Sequence, residues 1–184
     1  MKTFRTLGMY FLVFVVGVVF ATQKIKAEPF IIIHEEFWTL TQASDAHCLA
    51  MNIYHEGRSD NLAGQYAVAD VVLNRVESKR YPNTVCEVVY QARMKPSWKD
   101  PDKLIPIKNK CQFSWYCDGK DDYPHEIEAW AQAQYIAYSM LNEDHFRGIT
   151  EGATHYHTTY VAPAWNKHFY SVGRIGAHVF FRAD

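Results

Sequence analysis

The chain has 184 residues, 48% of them apolar, 15% aromatic and 21% charged, an ordinary globular composition with enough length for one well-buried core. Nineteen basic residues stand against 20 acidic ones, and Lys2, Arg5, Lys24 and Lys26 fall within the first 27 residues, where there is no acid. The rest of the chain therefore carries 15 basic and 20 acidic side chains, which excludes a basic face set by composition and argues against nucleic acid as a partner.

Lys2 and Arg5 precede an apolar run of fifteen residues from Leu7 to Ala21. A bilayer span takes about 20 residues, so residues 1–27 read as a secretory signal peptide, cleaved after Ala21 or Ala27, with an uncleaved signal anchor as the alternative. The remainder is then exported, to the periplasm or cell envelope, and meets a membrane only through this segment. Residues 28–44 hold Ile31 to Ile33, Phe37 and Trp38 and read as an ordered lead-in to a domain over 45–184.

The first helix is expected over 45–56, capped by Ser44 or Asp45, with Leu49, Ala50, Met51 and Ile53 as its apolar stripe and Gly57 in the left-handed position beyond its end. A second runs from Asn61 to Ser78, with Leu62, Tyr66, Ala69, Val72, Leu73 and Val76 at helical spacing, and Tyr81-Pro82 stops it. Asn83 or Thr84 caps a short helix through Cys86, Val88 and Val89. Residues 92–110 are polar and interrupted by Pro96, Pro101 and Pro106, so they read as a long surface loop bordering a cleft. Gln112 to Tyr116 has β propensity, and Asp118-Gly119 signals a turn. Pro124 opens a helix to about 142, with Ile127, Trp130, Ala131, Gln134, Tyr138 and Leu141 on one face, and short strands and loops fill 148–184.

Cys48, Cys86, Cys111 and Cys117 are even in number and follow an export signal, which favours two disulfides in any of three pairings. No Cys-x2-Cys pair supports zinc. Glu56 is the candidate acid. The last turn of a helix presents the negative end of its macrodipole, and partial burial acts the same way, so both favour the protonated carboxyl that a general acid requires. The structural alternative is a surface carboxylate paired with Arg58 or Arg75.

Five blocks in order, HCLAMNIYHEGRSDNLAGQYAVADVVLNRV, YPNTVCEVVYQ, CQFSWYCDG, GATHYHTTYVAPAW and IGAHVFFR, make residues 45–182 resemble the SleB/CwlJ cell-wall hydrolase family. The resemblance implies an α+β, mainly α fold, a lysozyme-like domain with a helical core and a small β-lobe, acting on peptidoglycan glycan strands. It implies Glu56 as the catalytic acid and Gly64 and Gln65 as residues shaping the second helix and cleft floor. The resemblance matches Gln112, Phe113 and Ser114 to the place of a sugar-binding β-lobe and matches Thr154, His155 and Tyr156, with Trp165 and His178 beyond, without fixing their roles; by residue type all of these but His178 form the candidate substrate-binding set. Tyr156, Phe113, Trp115 and Trp165 offer flat faces for sugar rings, and Gln112, Ser114, Thr154 and His155 offer hydrogen bonds. The first block departs from the common Glu-Ala-Arg by reading Glu56-Gly57-Arg58. The cysteines and the signal resemble the exported Gram-negative or phage branch, so a lysis enzyme of the endolysin kind or an envelope-remodelling hydrolase is implied rather than a spore role.

Two-carboxylate glycosidases need a second acid across the scissile bond. Of Asp60, Asp70, Glu87 and Asp118, none stands out, although Asp118 keeps a hydrolytic muramidase or glucosaminidase open. One glutamate acting as acid and then base suffices for a lytic transglycosylase, which forms 1,6-anhydromuramic ends between N-acetylmuramic acid and N-acetylglucosamine. A zinc peptidase on His155, His157 and His178, with Glu56 or Glu151 as base, and a non-enzymatic wall-binding module are the readings from other classes. No cofactor or metal is expected, and the chain is expected to be monomeric.

Overall fold

The computed structural model describes residues 40–183, with side chains from Ser44 onward. The signal segment 1–27 and the lead-in as far as residue 39 lie outside the described residues. Helix α1 covers Leu40–Gly57, α2 covers Leu62–Glu77 and α3 covers Val85–Val89. Strands β1 (Ala92–Pro96) and β2 (Leu104–Cys111) follow, then a 3-10 turn at Ser114–Cys117 and helix α4 (Ile127–Asn142). Strand β3 (His155–Thr158), a 3-10 turn at Ala164–His168, β4 (Tyr170–Ile175) and β5 (His178–Arg182) complete an α+β, mainly α fold.

Helix α2 explains the layering, because it is apolar almost all the way round. Tyr66, Ala69, Val72 and Leu73 pack with Leu49, Ile53, Val88, Ile136 and Met140 from α1, α3 and α4. Ala67 and Val71 face the other way, onto Ala153 and Phe180. On a helix buried on two sides each fully buried Val or Leu contributes roughly 1.5–3 kcal/mol, while its buried Gln65, Asp70 and Arg75 are held by polar partners. The sheet it covers is antiparallel in the order β3-β5-β4, with Tyr156 opposite Phe180 and Thr158 opposite His178.

Helix α1 begins five residues before its expected start, so Ser44 and Asp45 lie inside it rather than capping it. Asp45 Oδ1 instead accepts from the Cys86 N–H at 3.3 Å, helping Thr84 cap α3. Thr84 caps the helix, the Glu87 N–H donating to Thr84 Oγ1 and that hydroxyl donating to Glu87 Oε2 at 2.9 Å. The disulfides are Cys48–Cys86 and Cys111–Cys117. The first joins α1 to α3 across a separation of 38 residues, a loop whose closure is worth about 4 kcal/mol in the chain-entropy model.

Three expectations change. Residues 92–110 are an antiparallel hairpin, with Met94 opposite Pro106, Lys95 opposite Ile105 and Pro96 opposite Leu104. Each strand of a two-stranded ribbon has a free edge, so a proline's missing N–H disrupts nothing. The residues expected as a strand at 112–116 form the 3-10 turn instead, placing the small β element before Cys111. The buried side of α4 is also rotated. Ala133, Ile136, Ala137 and Met140 are buried while Ile127 is 80% exposed, because Glu126, not Pro124, caps the helix and Ile127 is its first residue.

Two glycines act through space rather than through φ. Gly57 is helical, not left-handed, and a Cβ there meets Gln65 Cα and Cγ at 3.4 Å, a contact that alanine tolerates. Gly64 differs, since its Cβ falls 2.2 Å from Asp60 Oδ2. That carboxylate accepts from the Asn61 N–H at 2.7 Å, the Ala177 N–H at 2.9 Å and His178 Nδ1 at 3.1 Å. Gly64→Ala is therefore expected to destabilise the chain by about 2–3 kcal/mol in urea titration, with Gly57→Ala within about 0.5 kcal/mol of the parent. Equal midpoints for the two variants contradict this packing.

A candidate active site around Glu56

The last turns of α1 place three polar side chains round the helix end. Asn52 accepts from Trp115 Nε1 at 3.2 Å, and His55 stacks on the Trp115 ring with centroids 4.5 Å apart while bonding the Asp122 carbonyl at 3.0 Å. These contacts fix the rotation of the helix end. Glu56 is thereby half-buried, and its Oε2 accepts from the Tyr156 hydroxyl at 3.3 Å.

Burial is the main influence on Glu56 and raises its pKa above the ordinary 4.5, while the Tyr156 hydrogen bond and the charge of Arg75 pull it partly back. Burial, with Glu56 beside it, holds the Tyr156 hydroxyl protonated well above the ordinary phenol value. The alternative of a surface pairing with Arg58 does not occur, since Arg58 Nε reaches Glu126 Oε1 at 3.1 Å. Arg75 acts on Glu56 through its field rather than through a direct ion pair.

Arg75 is the functional candidate that sequence reasoning passed over. Only 3% exposed, it donates from Nε to the Thr154 carbonyl at 2.8 Å, and its guanidinium lies over the Tyr81 and Phe113 rings at 5.3 and 5.1 Å. The Gln112 side-chain oxygen, oriented toward it, accepts from both terminal nitrogens at 3.2 Å. A cation this enclosed is held by its partners, and the sign of its field favours the ionised form of Glu56. Its signal in the sequence was a charge inside the apolar helix, between Leu73 and Val76.

The other named residues divide. Tyr156 meets Glu56, and Gln112 and Thr154 hold Arg75. Ser114 is exposed at the start of the 3-10 turn. Phe113 and Trp115, at 3% and 7% exposure, are core residues that support Arg75 and His55, and neither has a face left for a sugar. Alternation along β3 points Tyr156 to the α2 side and His155 and His157 to the opposite side. There His155 stacks on Phe169 at 4.3 Å, His157 on Phe181 at 5.1 Å, and Trp165 packs against both histidines. Burial, then the charges of Arg75 and Arg80, lower the His155 pKa.

His178 turns to Asp60 with its ring edge-on to Tyr156 at 5.2 Å, so the three histidines considered as zinc ligands are dispersed. Among the described residues no group of three or more His, Cys, Asp or Glu is arranged to hold a metal. The other acids weighed from the sequence are also engaged, whereas Asp122, whose backbone carbonyl bonds His55, has a carboxyl pKa raised chiefly by burial. Asp70 is buried and bonds Arg147, the Gly148 and Thr150 N–H groups and the Thr150 hydroxyl. Asp118 is a turn residue whose pKa is lowered, first by the Lys120 N–H at 2.8 Å.

A glutamate at a helix end, its pKa raised by burial, stands with a phenol and a buried guanidinium beside it on an α+β scaffold. The chain belongs to the cell wall hydrolase family, whose model matches residues 59–181. That span opens three residues after Glu56. Spore cortex-lytic enzymes of Bacillus cereus and Bacillus subtilis are 44% identical over 50 residues and 40% identical over 48. The two segments cover 27% and 26% of this chain, but only 19% and 16% of those proteins. The chain thus spans under a fifth of the curated relatives it matches. Among solved structures, the catalytic domain of the Bacillus cereus SleB protein superposes with a TM-score of 0.56 at 26% identity, over 76% of this chain and 91% of that one. The catalytic domain of the germination-specific lytic transglycosylase SleB from Bacillus anthracis gives 0.55 at 25% identity, over 79% and 98%.

The raised pKa of Glu56 has a stability consequence of definite sign. The folded chain holds this proton more tightly than the unfolded chain, so stability falls as pH rises from 4.5 through the folded value and the full cost is present above it. Glu56→Gln removes the titration. It is expected to raise Tm by about 2–4 °C at pH 8, about 1 kcal/mol for a domain of this size, and to give no gain at pH 4. A lower Tm at pH 8 contradicts the burial of an uncompensated charge.

Proposed function

We propose that the domain cleaves the glycan strand of peptidoglycan between N-acetylmuramic acid and N-acetylglucosamine as a lytic transglycosylase, with Glu56 as the sole proton carrier. The observation that supports this most directly is the pairing of a raised carboxyl pKa with two groups that favour its conjugate base. Protonated Glu56 donates to the glycosidic oxygen as the bond from the muramic C1 breaks. The resulting carboxylate, stabilised by the Tyr156 hydroxyl and the field of Arg75, takes the proton of the muramic C6 hydroxyl as that oxygen bonds C1. Glu56 ends protonated again, the product carries a 1,6-anhydro ring, and no water is consumed.

The engagement of Asp60, Asp70, Glu87 and Asp118 elsewhere supports a mechanism with one carboxylate over one with two. The likeness to the catalytic domain of a germination-specific lytic transglycosylase supports the same chemistry. Export to the cell envelope fits such a substrate. Among the described residues no helix is long and apolar enough to cross a membrane, which leaves the N-terminal segment as the proposed link to one.

Mass spectrometry of purified peptidoglycan digested by the protein tests this reading. Anhydromuramyl ends are expected, with Glu56→Gln slower by about 10²–10⁴-fold, the range for loss of a general acid–base group. Reducing ends would assign hydrolysis, and released peptides on intact glycan, or full activity of Glu56→Gln, would contradict the proposal.

A further inference from the structure

The hairpin of β1 and β2 carries a charge opposite to that of the domain it leaves. Between Ala92 and Cys111 stand Arg93, Lys95, Lys99, Lys103, Lys108 and Lys110 against Asp100 and Asp102, whereas the other described residues hold nine basic and fourteen acidic side chains. All six cations are exposed, and none of them joins a salt bridge among the described residues. The strands pack mainly on each other and on the 3-10 turn. Cross-strand pairing puts Met94, Pro96, Leu104 and Pro106 on one face, and Trp98 near the tip is 84% exposed. An isolated ribbon with an apolar face in solvent adds little to folding stability.

The base of the hairpin is fixed to the site. The Gln112 N–H donates to the Gln91 carbonyl at 2.8 Å, Cys111 is bonded to Cys117, and the Gln112 side chain meets Arg75. The hairpin therefore leaves the body beside the cation whose field reaches Glu56. Exposed cations without salt-bridge partners on an otherwise acidic domain are complementary to an anionic ligand and raise its local concentration.

We propose that the hairpin is a binding arm for carboxylates projecting from the glycan strand, and that it sets a preference for carboxylate-bearing wall over neutralised wall. The inference rests on the proposed action of Glu56 on peptidoglycan. Those carboxylates come from two sources, the stem peptides and, where no peptide is amide-linked to it, the lactyl group of muramic acid, and the same lysines would recognise either.

The test follows pelleting and digestion of insoluble peptidoglycan by the full chain, using native wall, wall whose carboxylates are blocked as neutral amides, and strands stripped of peptides. Amide blocking is expected to weaken binding and raise KM by about tenfold with kcat unchanged, an effect that salt suppresses. Lys95→Gln/Lys99→Gln/Lys103→Gln is expected to bind native wall as the parent binds blocked wall, and blocking is expected to cost the variant nothing more. Stripping frees the lactyl carboxylates, so weaker binding to stripped strands assigns the peptide carboxylates, and equal binding shows that lactyl carboxylates serve the arm as well. A parent indifferent to blocking, a variant that loses kcat on every substrate, or vesicles of anionic phospholipid captured more tightly than wall would each overturn the arm. Charge-dependent binding without any digestion would leave the arm standing and remove the reading of Glu56.

Discussion

The carboxylate of Asp60 joins the two halves of this fold. It sits in the turn between α1 and α2, four residues after Glu56, and takes hydrogen bonds from Asn61 in that turn and from Ala177 and His178 at the start of the central strand β5. Gly64 and Gly176 leave the space it occupies, each having a Cβ position 2.2 Å from an Asp60 oxygen. Gln65 adds a bond from its side-chain nitrogen to the Asp60 carbonyl at 3.1 Å. The helix end that carries Glu56 is thereby tied to the sheet that carries Tyr156, and the distance between them follows from that tie. His178 contributes twice, bonding Asp60 and bracing the Tyr156 ring.

Within this frame, opposing effects act on one carboxyl. Burial penalises the anion, whereas Tyr156 and Arg75 favour it, and burial is the larger. An acid that must release a proton and then reclaim one needs both influences, since an unrelieved penalty would make the conjugate base inaccessible and a dominant cation would discharge the acid beforehand. Arg75 can act from a distance because Thr154, Gln112, Tyr81 and Phe113 hold its charge in place.

How much of this was legible in the sequence depended on the range of the forces involved. Helix α2, the capping of α3 and the strands after residue 148 follow from local periodicity and capping chemistry and were readable. Glu56 was readable as a helix-end acid, and the ordered family blocks pointed to the same residue. The hairpin was not, because a ribbon exposed on both faces has no buried side to impose alternation and its prolines resemble loop punctuation. The face of α4 was misplaced because Ile127 and Tyr138 fit a helical stripe that packing did not use. Phe113 read as a sugar platform because Arg75, whose guanidinium lies over its ring, is distant in sequence. The Asp60–His178 pair spans 118 residues and left no local trace.

The central claim is that burial outweighs Tyr156 and Arg75 and keeps Glu56 a weak acid. Carbon-detected NMR titration of the glutamate side-chain carboxyls, with Glu56→Gln to assign the resonance, measures this directly. The expected midpoint lies above 4.5 and rises further in Tyr156→Phe, which removes a hydrogen bond to the anion. A midpoint at or below 4.5, or one that falls in Tyr156→Phe, would contradict the account.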